Sequence, residues 1–298
     1  MSSATSSISP GSLSPGHTPT GSAQTPSRLR LAAFDLDGTL LAPDLTIPDR
    51  AAAALRALAG RGVRVVIVTG RMHRTAEGYA RRLGLEDEPL VSFNGAMAGV
   101  VGRPETWWHR TIPAGLAREV VRFLRDWGLE PLVFSGDGVY AGAPSVETET
   151  YGRVAGIGPC YVGDLAAWLG REDAGAPLCP TKILQVEATG RMPDLFGAAR
   201  ERFGHALNVT TSYSFFLEFM DAAASKGRAL AEVCRRLGVD RQEVAAFGDG
   251  LNDLDMIQWA GLGVAMAHSP PALLEAADRV ADGPPGEGVA RFIEENLL

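Results

Sequence analysis

Phe34-Asp35-Leu36-Asp37-Gly38-Thr39-Leu40 decides the fold of this chain. It follows the apolar run Leu31-Ala32-Ala33 and leads into a polar, proline-containing loop, which predicts a buried strand closing in an acidic turn. Residues two apart on an extended segment point the same way, so Asp35 and Asp37 are expected to project together from the strand end. Gly38 frees the backbone to turn just beyond them. Two carboxylates this close repel each other and lose solvation when enclosed. A chain keeps such a pair where a cation or a reaction uses it. The alternative for the dipeptide alone is an Asp-Gly turn that merely ends a strand.

Downstream, Arg50 to Ala59 has helical spacing and is stopped by Gly60 and Gly62. Val63 to Val68 is a β-branched run that predicts a strand buried on both faces, and it ends in Thr69-Gly70-Arg71. A helix from His73 to Leu83 and a strand from Leu90 to Phe93 follow, the latter ending in Asn94-Gly95. Strand and helix alternating through short loops predict a parallel sheet covered on both sides. Ligands of such sheets sit outside the carboxyl ends of the strands, where Asp35, Asp37, Thr69 and Asn94 all fall. The pattern resumes at Ser225-Lys226-Gly227, which opens a helix. It continues with the strand Val244 to Phe247, ending in Gly248-Asp249-Gly250-Leu251-Asn252-Asp253, a helix to Trp259, the strand Gly261 to Ala265, a helix Pro271 to Ala277, a short strand near Val280 and a last helix from Gly288.

Between these halves the signal changes. Thr106 to His109 reads as the return strand of a hairpin and Pro113 to Trp127 as a helix. Leu132 to Phe134 and Val139 to Ala141 read as strands around a Ser-Gly-Asp-Gly turn, and less regular segments reach Ala176. Lys182 to Glu187 alternates like a half-exposed strand; a helix over Pro193 to Phe203 and strands over Leu207 to Thr211 and Phe215 to Phe219 complete the region. This predicts an open antiparallel sheet with helices on one side, forming a second α/β domain inserted into the first.

The 298 residues, 46% hydrophobic, are ample for a packed core and too long for one small domain. The net charge of −7 argues against a nucleic-acid partner, whose footprint is usually basic. Cys160, Cys179 and Cys234 are odd in number and scattered, which excludes a metal-thiolate pattern, suits a reducing, cytoplasmic setting and makes each a small apolar residue. Residues 1–28 are rich in Ser, Thr, Pro and Gly and lack the apolar block of a signal peptide, so a disordered tail is expected. No apolar run is long enough to span a bilayer, so no membrane role is expected.

The strand-end residues therefore unite Asp35, Asp37, Asp249, Asp253, Thr69 and Lys226 at the mouth of one sheet. For Asn252 and Asp253 helix capping is the competing role. Lys226 sits in the first turn of a helix, where a cation opposes the dipole; a solvated surface lysine is its competing role. Oxygen ligands without clustered His or Cys indicate a hard divalent cation, foremost Mg²⁺. Carboxylates, Mg²⁺ and a lysine suit phosphoryl transfer, in which one carboxylate can be the nucleophile and another the acid and base.

These ordered motifs resemble those of the haloacid dehalogenase superfamily, in particular its Cof-type phosphatases (subfamily IIB), over nearly everything after the tail. The resemblance implies a Rossmann-like parallel core at residues 29–111 and 221–298 with an α/β cap inserted at 112–220. It implies Asp35 as nucleophile and metal ligand and Asp37 as general acid/base that gives its backbone carbonyl to the metal. The phosphoryl group would be held by the Leu36 amide, Thr69, Gly70 and Asn252, with Arg71 and Asn94 as further substrate contacts. Lys226 would steady the nucleophile and the transferring phosphate, and Asp249 and Asp253 would complete the metal site. The true dehalogenases lack the second aspartate, so Asp37 argues for phosphoryl transfer. The chain departs from the family at Met220-Asp221-Ala222-Ala223-Ala224, before the lysine, and at Ala267-His268-Ser269.

The expected activity is Mg²⁺-dependent hydrolysis of small phosphorylated metabolites, such as sugar phosphates or phosphorylated vitamin precursors, under a cap that closes over the site. A phosphomutase using the same aspartates, and a non-catalytic relative that binds a phosphorylated ligand, are the alternatives. Arg71, Arg74, Arg81 and Arg82 form either a basic rim or a solvated helix face. His73, His109, His205 and His268 are assigned core or surface roles. Trp107 and Trp108 pack between domains or, in a homodimer, between subunits. Substrate determinants are expected on the cap loops 135–139 and 212–216.

Overall fold

The computed structural model describes residues 28–173, 176–212 and 215–298. The expected tail falls outside them apart from Arg28, as do residues 213 and 214 of the 212–216 loop.

Leu31–Phe34 is a four-residue strand with every side chain buried. Its alternation feeds two separate clusters. Ala32 and Phe34 pack with Leu55, Ile67 and Phe247 on one face, while Leu31 and Ala33 pack with Val66, Leu230 and Val233 on the other. Phe34 stacks on Phe247 at 4.7 Å, and burying each ring contributes roughly 2–3 kcal/mol. This strand is central in an eight-stranded sheet with the order Arg279–Ala281, Leu262–Met266, Val244–Gly248, Leu31–Phe34, Arg64–Val68, Pro89–Ser92, Met97–Val100, Thr106–His109. The strands from Arg279–Ala281 to Pro89–Ser92 run parallel, and the last two form an antiparallel hairpin. All the parallel strands thus end along one edge.

A second sheet has the order Leu207–Ser212, Phe216–Asp221, Lys182–Val186, Leu132–Ser135, Gly138–Ala141, Cys160–Tyr161. It is antiparallel except for the last pair. Helices Ala114–Asp126 and Met192–Phe203 cover one face through Val120, Leu124, Leu195 and Phe203, packed with Ile183, Leu217 and Phe219. The other face is not open. Leu184, Val186 and Phe216 pack there with Met72, Phe93 and Ala96 of the first sheet's connections. The half-exposed reading of 182–187 is therefore corrected: all five residues of Lys182–Val186 are buried, because the Leu184 and Val186 face meets the other domain while the Ile183 face meets the helices. Helices on one side is likewise corrected. Val146–Ala155, inside the stretch read as irregular, is a helix whose Tyr151 joins this second face. Ser145 caps it by accepting from the Thr148 amide, and Gly156 ends it in a left-handed conformation.

Cys160 is exposed rather than a packed apolar residue, Cys179 half-buried and Cys234 buried; all three are free thiols. Trp107 and Trp108 pack partly buried beside Val91 and Ala98, with the Arg236 guanidinium 5.3 and 5.8 Å from their ring centres. No described helix is long and apolar enough to cross a membrane.

Candidate active site

The acidic turn is built tightly. The Asp35 amide donates to Phe247 O at 3.0 Å, tying the strand end to its neighbour. The amides of Thr39, Leu40 and Leu41 all donate to Leu36 O. Gly38 has φ +74°, and a Cβ there would collide with the Asp249 carboxylate. Thr39 Oγ1 donates to Asp249 Oδ1 at 2.9 Å, a contact that sequence reasoning missed.

The strand stops at Phe34, so Asp35 and Asp37 project from the turn beyond it rather than from a strand face, and both line the same cavity. The Asp35 carboxylate meets Lys226 Nζ at 2.7 Å. Asp37 is clamped by Arg71, whose Nε and a terminal nitrogen donate to its two oxygens at 2.7 and 2.6 Å. Arg71 reaches there from the Thr69-Gly70-Arg71 turn, where Thr69 Oγ1 accepts from the Arg71 amide.

Lys226 opens helix Lys226–Leu237, with Ser225 as its side-chain cap. It is buried and donates to Asp253 Oδ1 at 2.6 Å, so one ammonium bridges Asp35 and Asp253. The solvated-lysine reading falls with it. The other oxygen of Asp253 accepts from the amides of Asp249 and Gly250, so capping and charge pairing are both real for this residue. Burial alone pulls the Lys226 pKa down, but Asp253 and Asp35 outweigh it and hold the ammonium above the ordinary lysine range.

Carboxylate oxygens of Asp35, Asp249 and Asp253 lie within 4.8 Å of one another. Burial raises Asp35 well above the usual carboxylate range; Lys226 opposes this, and Asp253, Asp249 and Asp37 add to it. Asp249 is pushed up to about 7, first by burial and next by Asp253. An all-oxygen, anionic and partly desolvated group of this kind fits a hard divalent cation. The Asp37 side chain is outside the group of three.

A cavity of about 420 Å³ opens over these residues. Asp35, Asp37, Gly70, Arg71, Asp249 and Asn252 line its floor. Leu36, Thr69, Asn94, Lys226 and Asp253 are not among the lining side chains and stand behind it. For Asn94 this corrects the expected substrate contact. Its amide is a brace, with Oδ1 accepting from Asn252 Nδ2 at 3.0 Å and Nδ2 donating to Glu218 at 2.6 Å. Of the four arginines read as a rim, Arg71 lines the cavity, whereas Arg81 pairs with Glu77.

The second sheet supplies the roof, and with it residues that sequence reasoning left out. Lys182 Nζ bonds Gly70 O and Glu218 Oε1, each at 3.1 Å, 4.7 Å from the Phe134 ring centre. Glu218 also accepts from Ser212 Oγ. The signal for this pair was a charged residue in each of two mostly apolar strands. His268, assigned a core or surface role, lines the cavity with Nε2 3.6 Å from Asp249 Oδ2.

The sequence model of the haloacid dehalogenase-like hydrolase family matches residues 32–293. The chain belongs to the haloacid dehalogenase-like hydrolases. Among its relatives, the 5-amino-6-(5-phospho-D-ribitylamino)uracil phosphatase YitU of Bacillus subtilis is 30% identical over 281 residues, covering 89% of this chain and 96% of the relative. A haloacid dehalogenase-like hydrolase from B. subtilis superposes with a TM-score of 0.78 at 26% identity, covering 89% of this chain and 99% of the other. TM0651 from Thermotoga maritima does so with a TM-score of 0.75 at 26% identity, covering 90% and 97%. The Cof-type, cap-bearing resemblance read from the motifs stands, and the chain is an enzyme of the phosphomonoester hydrolase type.

Proposed function

We propose that this protein hydrolyses small phosphorylated metabolites with Mg²⁺ through an aspartyl-phosphate on Asp35. The observation that carries the reading is the buried Asp35 carboxylate, held by Lys226 at 2.7 Å, grouped with Asp249 at the floor of the cavity and with Asp253 just behind it. Asp35, Asp249, Asp253 and the Asp37 carbonyl would hold Mg²⁺. When bound, the cation offsets the charge of the phosphoryl oxygens and of the carboxylates around it.

The chain's own groups do the rest. An oxygen of Asp35 attacks phosphorus and the bond from phosphorus to the ester oxygen breaks. Asp37 gives its proton to that oxygen, so the alcohol leaves neutral. The deprotonated Asp37 then takes a proton from water, whose oxygen attacks phosphorus, releasing inorganic phosphate and restoring Asp35. The Arg71 fork fixes the direction of the Asp37 carboxylate through both steps. Gly70 and Asn252, at the cavity floor, are assigned to the phosphoryl oxygens, and the motif resemblance adds the Leu36 amide and Thr69 from just behind it. Residues 112–220 act as the cap that excludes water and selects the leaving group. Sugar phosphates and phosphorylated vitamin precursors fall in the substrate class; the compound in the name of YitU is itself phosphorylated.

Phosphate release from a metabolite panel, with Mg²⁺ and with chelator, tests this in the wild type and in Asp35→Asn. Release that needs Mg²⁺ and vanishes in the variant is expected. Release that survives Asp35→Asn sinks the aspartyl-phosphate.

A further inference from the structure

The roof of the cavity is unlike its floor. Phe134, Tyr151, Val154, Ile157, Leu184 and Phe216 line it. Tyr151 packs edge-on to Phe134 at 5.6 Å and lies tilted to Phe216 at 6.3 Å, so the three rings form one aromatic corner. Ile157 is 37% exposed, an apolar side chain left at the cavity wall.

The charged groups of the roof are occupied with each other. Lys182 is bound to Glu218 and Gly70, and Glu218 also takes Ser212 and Asn94. Among the described residues lining the roof, the Tyr151 and Thr211 hydroxyls have no hydrogen-bond partner. A polyol placed here would turn most of its hydroxyls toward hydrocarbon, and an unpartnered buried hydroxyl is strongly disfavoured. A flat ring meets aromatic edges and faces favourably and needs few hydrogen bonds.

We infer that the leaving group of the substrate carries an aromatic or heteroaromatic ring seated in this corner, with the Tyr151 hydroxyl at its polar edge. The inference rests on the phosphatase reading above and narrows its substrate class away from simple sugar phosphates.

The test measures kcat and KM with Mg²⁺ for pyridoxal 5′-phosphate and ribose 5-phosphate. Both are esters of primary alcohols, so the difference between them is the ring. A kcat/KM at least about tenfold higher for the ring ester is expected, in line with the strength of ring stacking on aromatic side chains. Ile157→Asp, at a position exposed enough to leave the fold intact, raises KM for the ring ester about tenfold. KM for ribose 5-phosphate, which meets only the added charge, rises at least about threefold less. Tyr151→Phe raises KM for the ring ester while kcat holds. Equal or better use of ribose 5-phosphate, or an Ile157→Asp effect of the same size on both esters, overturns the ring corner and leaves the phosphatase reading standing. Thermal protection by the ring ester alone, without release of phosphate from either, keeps the corner; release from no member of the metabolite panel then sinks the phosphatase reading.

Discussion

Replacing Asp249 by Asn separates what this site does for chemistry from what it costs the fold. Asp249 is largely enclosed, faces Asp253, and is pushed up to about 7 from the ordinary 3.8. At about 1.4 kcal/mol per pH unit, that shift of about 3 units disfavours the ionised, cation-free fold by up to about 4 kcal/mol. Between pH 4 and 7, roughly, the folded chain keeps a proton that the unfolded chain has released, so stability falls as pH rises through that window and levels off above it. Asn retains the oxygen that accepts from Thr39 and removes the charge. In chelator at pH 8, Asp249→Asn is expected to be more stable than wild type by about 2–4 kcal/mol, or roughly 5–10 °C in melting temperature. Near pH 4.5 the two proteins converge. Added Mg²⁺ stabilises the wild type more at pH 8 than at pH 5 and does little for the variant, whose kcat falls on the order of 10²–10³. Melting curves in chelator across pH 4.5–8 decide the matter. A variant that melts below wild type at pH 8, or two curves that run parallel, refutes the reasoning.

Other substitutions probe the surrounding contacts. Lys226→Met leaves the Asp35 and Asp253 carboxylates facing each other in a buried site; a loss of about 3 kcal/mol in urea unfolding and at least about a hundredfold in kcat is expected. An unchanged urea midpoint would contradict that account. Glu218→Gln strands the Lys182 ammonium between the domains and costs about 2–4 kcal/mol; adding Lys182→Met recovers at least half, and a double variant worse than either single one counts against the pairing. Gly38→Ala demands φ +74° of a residue with a Cβ and drives that Cβ into Asp249, so destabilisation of about 1–3 kcal/mol with loss of phosphatase activity is expected, checked by melting and turnover together.

The catalytic half of the molecule was legible because its information is local. A run such as Val65 to Val68 is apolar at every position, which only a strand covered on both faces tolerates; Asp35, Thr69 and Asp249 each follow the last residue of such a strand, and Asn94 comes two residues after one. Parallel strands share a direction, so their ends lie along one edge, and residues as far apart in the chain as Thr39 and Asp249 meet there. The cap was harder. Ser145 and Gly156 do mark a helix, but its first turn is too polar and its apolar spacing too weak to carry the assignment alone.

What the sequence determined by itself is therefore the order of the strands' functional ends, the carboxylate-lysine chemistry gathered there, and the existence of an inserted sheet. What only the tertiary structure decided is which surfaces meet. It turned Asp37 toward Arg71, made a brace of Asn94, placed His268 beside Asp249, and buried Lys182 and Glu218 as a pair in the roof. The reason is physical. Periodicity reports which side of an element is polar, and a polar side is equally compatible with water, with an ion pair across a domain boundary, or with a substrate; the choice among them is made by the partner surface, which lies elsewhere in the chain.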